Sequence, residues 1–290
     1  MANNSAINLE SLVVNTRAEA VYHAQESSLY LPGGLIPITP VPAGSAVLQV
    51  PLINEASEAE VDISGAAFGS DDFTANALTD TKRTFNVGLY AARAVLRDLG
   101  GIDPMVVGGQ LGRSVAKKFD RAVTNLFDSF TTHTAIQGSG SNNLLTVDDI
   151  FKAAQTLRGA GVMGPLVGVF HPEQVYAIMT ELTGTPFAAS EAQNEAMAQG
   201  FVARIAGVNM YQSAFITADE GSSGDDHLWN GLIFEREAMA IGIQRGVEVE
   251  VQRRAEAVGN DIVANLHAAV GVVDGNRGIH VQSTGFTVET

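Results

Sequence analysis

An α+β fold is what this sequence predicts, and three patterns carry that expectation. Residues 104–130 hold one long amphipathic helix, with Val107, Leu111, Val115, Phe119, Val123, Leu126, Phe127 and Phe130 recurring at three- and four-residue steps. Near the carboxyl end, Val247, Val249 and Val251 alternate with Glu248, Glu250 and Gln252, the period of a half-buried strand. Between these two segments, strand-like and helix-like stretches take turns.

Taken in order, residues 1–35 are mixed and end in a Pro/Gly-punctuated LPGGLIP, which reads as an extended arm. GSAVLQVPLIN (44–54) is strand-like, with Pro51 restricting it to an edge or a bulge. An acidic, Ala/Ser-rich excursion over 54–80 has no helical period, and a strand over 82–92 returns from it. Loops of that length inside a compact domain are usually functional or disordered. The long helix follows. Gly108-Gly109 weakens its first turn, so its regular part is expected near Gln110, with Arg113, Lys117, Lys118, Asp120 and Arg121 on the faces away from the apolar stripe. QGSGSNN (137–143) reads as a flexible break and domain boundary.

Beyond it, Thr146 and Asp149 form a capping box that opens a helix with Val147, Ile150, Phe151, Ala154 and Leu157 inward and Gly159 as its stop. LVGVF (166–170) is a buried strand, and residues 171–182 a helix started by Pro172. A small-residue helix is expected around 188–199, a strand pair over 201–215, and a turn at 221–226. LIFEREAMAIGI (232–243) reads as a hairpin about Arg236-Glu237. The strands DIVANLHAAVGVV and GIHVQST, separated by DGNRG, close the chain.

Chemistry is sparse. The chain has 290 residues, no cysteine and a formal charge of −15, from 32 acids against 17 bases. Thiolate metal sites, disulfides and thiol catalysis are therefore excluded, and broad nonspecific DNA binding is disfavoured. No membrane-length apolar run occurs. The six histidines are scattered without HExxH or similar spacing. Asp225-Asp226-His227 reads as solvated loop chemistry rather than a ligand set. VVGGQLGRS (106–114) lacks both the first glycine and the lysine of a phosphate loop. His171 before Pro172 fits a helix start better than an active site. The cationic face Arg113/Lys117/Lys118/Arg121 suits nucleic acid, solvent or a neighbour's carboxylates. No cofactor, metal or catalytic residue is expected.

The order of segments resembles the tailed-bacteriophage major capsid proteins of the Hong Kong 97-type fold. VGVFHPEQVYAIM is similar to that family's strand, His/Asn-Pro, helix unit, and IAGVNMYQSAFI to its Gly-Val-x-Val-Tyr-x-Ser strand, with Met210 in place of the usual small aliphatic. The late stretch VEVEVQRRAEAVGNDIVANLHAAVGVV, followed by an Arg-Gly-aliphatic strand, is also common there. The resemblance implies residues 1–40 as an amino-terminal arm, 41–92 as the extended loop (E-loop), and 93–142 as a peripheral domain with its spine helix. Residues 143–245 would be the axial domain, and 246–290 return strands of the peripheral domain.

It further implies a non-enzymatic shell protein made in the host cytoplasm. The chain would assemble with itself as hexamers and pentamers into an icosahedral virion capsid around double-stranded DNA. A portal and a separate scaffolding protein are the expected assembly partners, because no long scaffolding segment precedes the spine helix. With four lysines, of which only Lys82 is near the E-loop, covalent crosslinking is not expected. Noncovalent contacts or a decoration protein would hold the shell. The E-loop acids Glu55, Glu58, Glu60 and Asp62 are expected to meet cations of an adjacent subunit, drawn from Lys82, Arg83, Arg113, Lys117, Lys118 and Arg121. An encapsulin-type compartment shares the fold. Its mark is an apolar cargo-docking site built with an amino-terminal helix, which a polar arm would not provide. A small α/β enzyme is the third reading.

Overall fold

The computed structural model describes residues 4–53, 80–97, 104–183, 203–220 and 227–284. In chain order the elements are α1 (Asn4–Ser27), β1 (Ile38–Pro40), β2 (Val47–Ile53), β3 (Asp80–Asn86), β4 (Gly88–Arg97), α2 (Pro104–Thr124), β5 (Ile136–Gln137), α3 (Val147–Gly159), β6 (Leu166–Phe170), α4 (Pro172–Thr183), β7 (Ala203–Ile205), β8 (Val208–Gln212), β9 (Ala218–Glu220), β10 (His227–Glu235), β11 (Met239–Arg254), β12 (Gly259–Val272) and β13 (Gly278–Thr284). They build two main sheets. One has the order β1-β11-β12-β4; the other runs β5-β13-β10-β6-β8-β7, with β9 beside β10. A separate two-stranded ribbon pairs β2 with β3 from Val47↔Asn86 to Ile53↔Asp80.

The largest core lies where α1 and α2 meet the four-stranded sheet. Val115, Phe119 and Val123 of α2 pack with Ile262, Ala264 and Leu266 of β12, and Tyr90 of β4 stands edge-on to Phe119 at 5.6 Å. This core continues onto one face of the second sheet through Val167, Val169, Leu232 and Phe234. The opposite face, with Leu166, Phe170 and Ile233, packs on Ile150 and Leu157 of α3 and Ile178 of α4. β6 is thus covered on both sides and buried at every position, as its unbroken apolar run requires.

The apolar stripe of α2 faces the core as expected through Val123, but the helix ends at Thr124 rather than Phe130, and Phe127 and Phe130 are buried from the turn beyond it. The capping box on α3 is complete, with Thr146 and Asp149 each serving the other's backbone. Burial works to raise the Asp149 carboxyl, but hydrogen bonds from Ser139 and Thr146 outweigh it and leave its pKa lowered.

Several local expectations are corrected. Residues 4–27 are a helix, not an extended arm. The side of α1 that meets α2 carries Thr16, Ala20 and Ala24, too small to leave a strong apolar period. The helix α2 starts at Pro104 rather than near Gln110, because α1 shields its glycine-containing first turns. Asp120, expected on a polar face, is 1% exposed. Phe151, expected inward, is 53% exposed, and Ala153 fills the core position instead. The 137–143 segment is no flexible break. Gly138 donates to Gln282 and Ser139 to Asp149, and a side chain at Gly138 would strike the Asn143 carbonyl.

The segment 82–92 divides at Val87, the ribbon ending at Asn86 and β4 continuing to Arg97 in another sheet. The 232–243 stretch is not a hairpin either. β10 and β11 belong to different sheets, and residues 236–238 carry the chain across. β13 likewise crosses back and inserts between β5 and β10 instead of extending the sheet of β11 and β12. Each crossing looks like a turn in sequence, since a tight turn and a sheet switch use the same residues. The helix expected at 188–199, the turn at 221–226 and most of the acidic excursion lie outside the described residues.

Candidate assembly surfaces

The first surface is the seam between α1 and α2. A Cβ placed on Gly108 would lie 2.6 Å from Thr16 Cγ2, and one on Gly112 only 2.2 Å from the Ala20 carbonyl oxygen. Glycines here let two backbones approach to a distance no side chain permits. The partners advance in the same direction along both helices, so α1 runs parallel to α2. The register ends at Ser28, whose hydroxyl donates to Asp120 Oδ1 at 2.6 Å.

The outer side of α1 is different. Val14 and Tyr22 are 65% and 60% exposed, and with Ala18 and Val21 they line a shallow apolar depression. Beside it, Arg17 Nη2 lies 3.8 Å from Glu248 of β11.

The exposed face of α2 carries cations at helical spacing. Arg113, Lys117 and Arg121 recur every four residues, with Lys118 adjacent. Lys117, Lys118 and Arg121 are exposed and form no ion pair among the described residues. Arg113 is half-buried, its Nη2 3.2 Å from His23 Nδ1. The same nitrogen lies 3.0 Å from Glu26, so it serves one partner at a time: acceptor to Arg113, or donor to Glu26.

Lys82 and Arg83 sit exposed on β3. Glu55, Glu58, Glu60 and Asp62 lie outside the described residues, so among the site residues expected from sequence the structure brings together only the α2 cations. The ribbon itself is seated along one face, where Val50 and Leu52 join the cluster that holds its base. Leu48 and Phe85 pack with Val41, Ala240 and Ala269, and Phe85 fills the space beside Gly271, where a Cβ would lie 2.0 Å from its ring. Toward Pro51 and Lys82 the ribbon has no third strand among the described residues.

Sequence reasoning missed a further surface. β4 alternates strictly, with Tyr90, Ala92, Ala94 and Leu96 toward the core and Leu89, Ala91, Arg93, Val95 and Arg97 exposed. Leu89 is 63% and Val95 42% exposed, and Arg93 grips both carboxylate oxygens of Asp261 on β12 at 2.8 and 2.9 Å from Nε. The alternation was visible in the sequence; which face would stay uncovered was not.

The crossings between the sheets meet at a polar cleft of about 710 Å3 bordered by Leu52, His133, Gly161, Glu235 and Arg277. There Arg277 reaches Glu235 at 2.8 Å, Glu237 at 3.2 Å and Asp274 at 3.3 Å, joining residues 235–237 to 274–277. His171 has a structural place as well. Its ring stacks on Trp229 at 3.4 Å, while Trp229 donates to Glu173, and burial lowers its pKa against the opposing pull of Glu173. Buried Gln174 ties this helix start to Trp229 and Ser283. No group of three or more His, Asp or Glu suited to a metal ion occurs among the described residues, and no described helix is long and apolar enough to cross a membrane.

The layout matches solved shell proteins over most of its length. The capsid of Ralstonia phage GP4 aligns with a TM-score of 0.67 at 12% identity, covering 88% of each chain. The capsid structure of the cyanophage P-SCSP1u aligns at 0.62 and 16% identity, covering 87% of each. The holo-SrpI encapsulin complex from Synechococcus elongatus PCC 7942 aligns at 0.61 and 13% identity, covering 92% of each. No protein-family model matches the chain, and no curated protein matches it in sequence. At these identities the likeness is one of fold: the chain has the Hong Kong 97-type capsid fold, α+β in class.

Proposed function

We propose that the protein is a structural shell subunit, without enzymatic activity, that self-assembles as hexamers and pentamers into an icosahedral capsid around a phage genome. The observation that carries this reading is the β2–β3 ribbon, which rests on the body by one face through Leu48, Val50, Leu52 and Phe85 and pairs with no third strand among the described residues. A two-stranded ribbon with both edges open is marginal in water, so its unpaired edges and outward face suit contact with another subunit. Fold likeness to phage capsids over some nine-tenths of the chain supports the same conclusion. On this reading residues 41–92 are the extended loop. The axial part, expected as 143–245 with 246–290 returning to the peripheral domain, would on this reading join the peripheral part instead at 236–238 and 273–277, where the chain crosses between sheets. Assembly takes place in the host cytoplasm with a portal and a separate scaffolding protein. Noncovalent contacts hold the finished virion shell, with a decoration protein where those are insufficient.

Glu55, Glu58, Glu60 and Asp62 of one subunit meet the α2 cations of the next, with Lys82 and Arg83 contributing from the ribbon. Charge reversal of Lys117 and Lys118 together is expected to cut shell yield severalfold while leaving the subunit folded. Sedimentation measures the yield, and an unchanged one removes this pairing.

The second reading, an encapsulin-type compartment, is favoured by a specific observation: the amino-terminal segment is a helix with an apolar outer side at Val14, Ala18, Val21 and Tyr22. Electron microscopy of shells purified from the native source separates the two. DNA-filled shells support the capsid, and protein-filled shells the compartment. Monodisperse single chains overturn both and leave the enzyme reading.

A further inference from the structure

Where α1 ends, the chain is fixed to α2 by one carboxylate. Asp120 Oδ1 accepts from the Ser28 hydroxyl at 2.6 Å and Oδ2 from the Leu29 N–H at 2.9 Å. The Ser28 oxygen then accepts from the Tyr30 and Leu31 N–H groups at 3.3 and 3.0 Å. Asp120 is 1% exposed and pairs with no cation among the described residues. A sealed, unpaired carboxylate is costly in its charged form.

We propose that Asp120 is a proton-operated latch on the amino-terminal helix. When the carboxyl is protonated, α1 and residues 28–31 are held most firmly against α2, and ionisation weakens their hold without unfolding the sheets. The geometry accommodates both states. Ionised, Oδ1 accepts from the Ser28 hydroxyl at 2.6 Å; protonated, the carboxyl O–H takes one of the two acceptor positions on the Ser28 oxygen in place of the longer Tyr30 N–H bond, while Oδ2 keeps its bond from Leu29. Burial raises the Asp120 pKa to about 6, against the lowering effect of the bonds from Ser28 and Leu29. The phenol of Tyr30, fully buried in the same layer, is raised by burial and then by the Asp120 charge.

The other charged groups at this helix contact act elsewhere. On α1, His23 faces Glu19 and Glu26; on α2, Arg113 faces His23 while Lys117 and Arg121 are exposed; from β11, Glu248 faces Arg17.

The sign follows from linkage. A carboxyl whose folded pKa exceeds its unfolded value near 3.8 stabilises the latched state at low pH, and that contribution is lost as pH rises through about 6. From pH 5 to pH 7 the closing equilibrium should weaken by about tenfold. Loosening frees α1 from the glycine seam at Gly108 and Gly112, so the effect should be confined to the amino-terminal segment.

Hydrogen exchange on the full chain tests this, with backbone amides of residues 14–31 followed from pH 5 to 8 and corrected for intrinsic exchange. The expected result is protection that falls about tenfold over that range in the native protein and stays flat in Asp120→Asn, while amides of β10 and β12 change in neither. Equal pH slopes in the two proteins, or none in the native one, overturn the latch. Should Asp120→Asn fail to fold, Ser28→Ala serves in its place. Removing a donor to the ionised carboxylate should move the midpoint upward, and an unmoved midpoint overturns the latch as well.

Discussion

β6 and β4 are both apolar-rich strands, yet one is enclosed and the other half open. β6 has core on each side, α3 and α4 on one and the α2 layer on the other. β4 is an edge strand whose inner row meets the same α2 layer and whose outer row has no cover among the described residues. The contrast separates residues that stabilise the subunit from residues left over for contact with something else. An uncovered apolar row on an edge strand is an invitation to pairing or aggregation that isolated proteins usually avoid.

That contrast can be broken in graded steps. Phe170→Ala in β6 removes a fully buried ring that also packs against Gly168 and Gly231, and should cost about 3–5 kcal/mol in denaturant unfolding. Gly112→Ala forces α1 off α2, because its new methyl would meet the Ala20 carbonyl. The expected cost is about 1–3 kcal/mol, with amides of α1 losing protection before those of the sheets. Leu89→Ser in β4 should change the stability of the single chain by no more than about 0.5 kcal/mol yet, on the proposed shell function, lower the melting temperature of the assembled particle. If Leu89→Ser destabilises the isolated subunit as strongly as Phe170→Ala, the division into enclosed and open strands fails.

Sequence reading served these regions unequally, for physical reasons. The α2 stripe, the α3 capping box and the buried β6 were legible because each depends on residues near one another in the chain. The glycine seam was not. Gly108 and Gly109 looked like a weak helix start because the Thr16 and His23 that justify them are some ninety residues away. The same distance hid Asp120, whose burial depends on donors from Ser28 and Leu29. On the cationic face of α2, Lys117, Lys118 and Arg121 are exposed as expected and Arg113 is half-buried against His23, while the acids proposed to meet it lie outside the described residues. The exchange between sheets at 236–238 was misread as a hairpin because local chemistry does not say which strand a turn delivers to.

The position of β13 carries a consequence in time. The last described strand pairs with β10 along Leu228↔Thr284 to Phe234↔Gly278 and with β5 at Val281↔Ile136. It fills the place between two strands made much earlier. Pairings over such separations form late and slowly. A nascent chain that has not yet released residues 278–284 therefore has a gap in its second sheet, with the edges of β5 and β10 unpaired. Release of residues 278–284 is the event that closes the second sheet, and a chain truncated before Gly278 should fail to complete it.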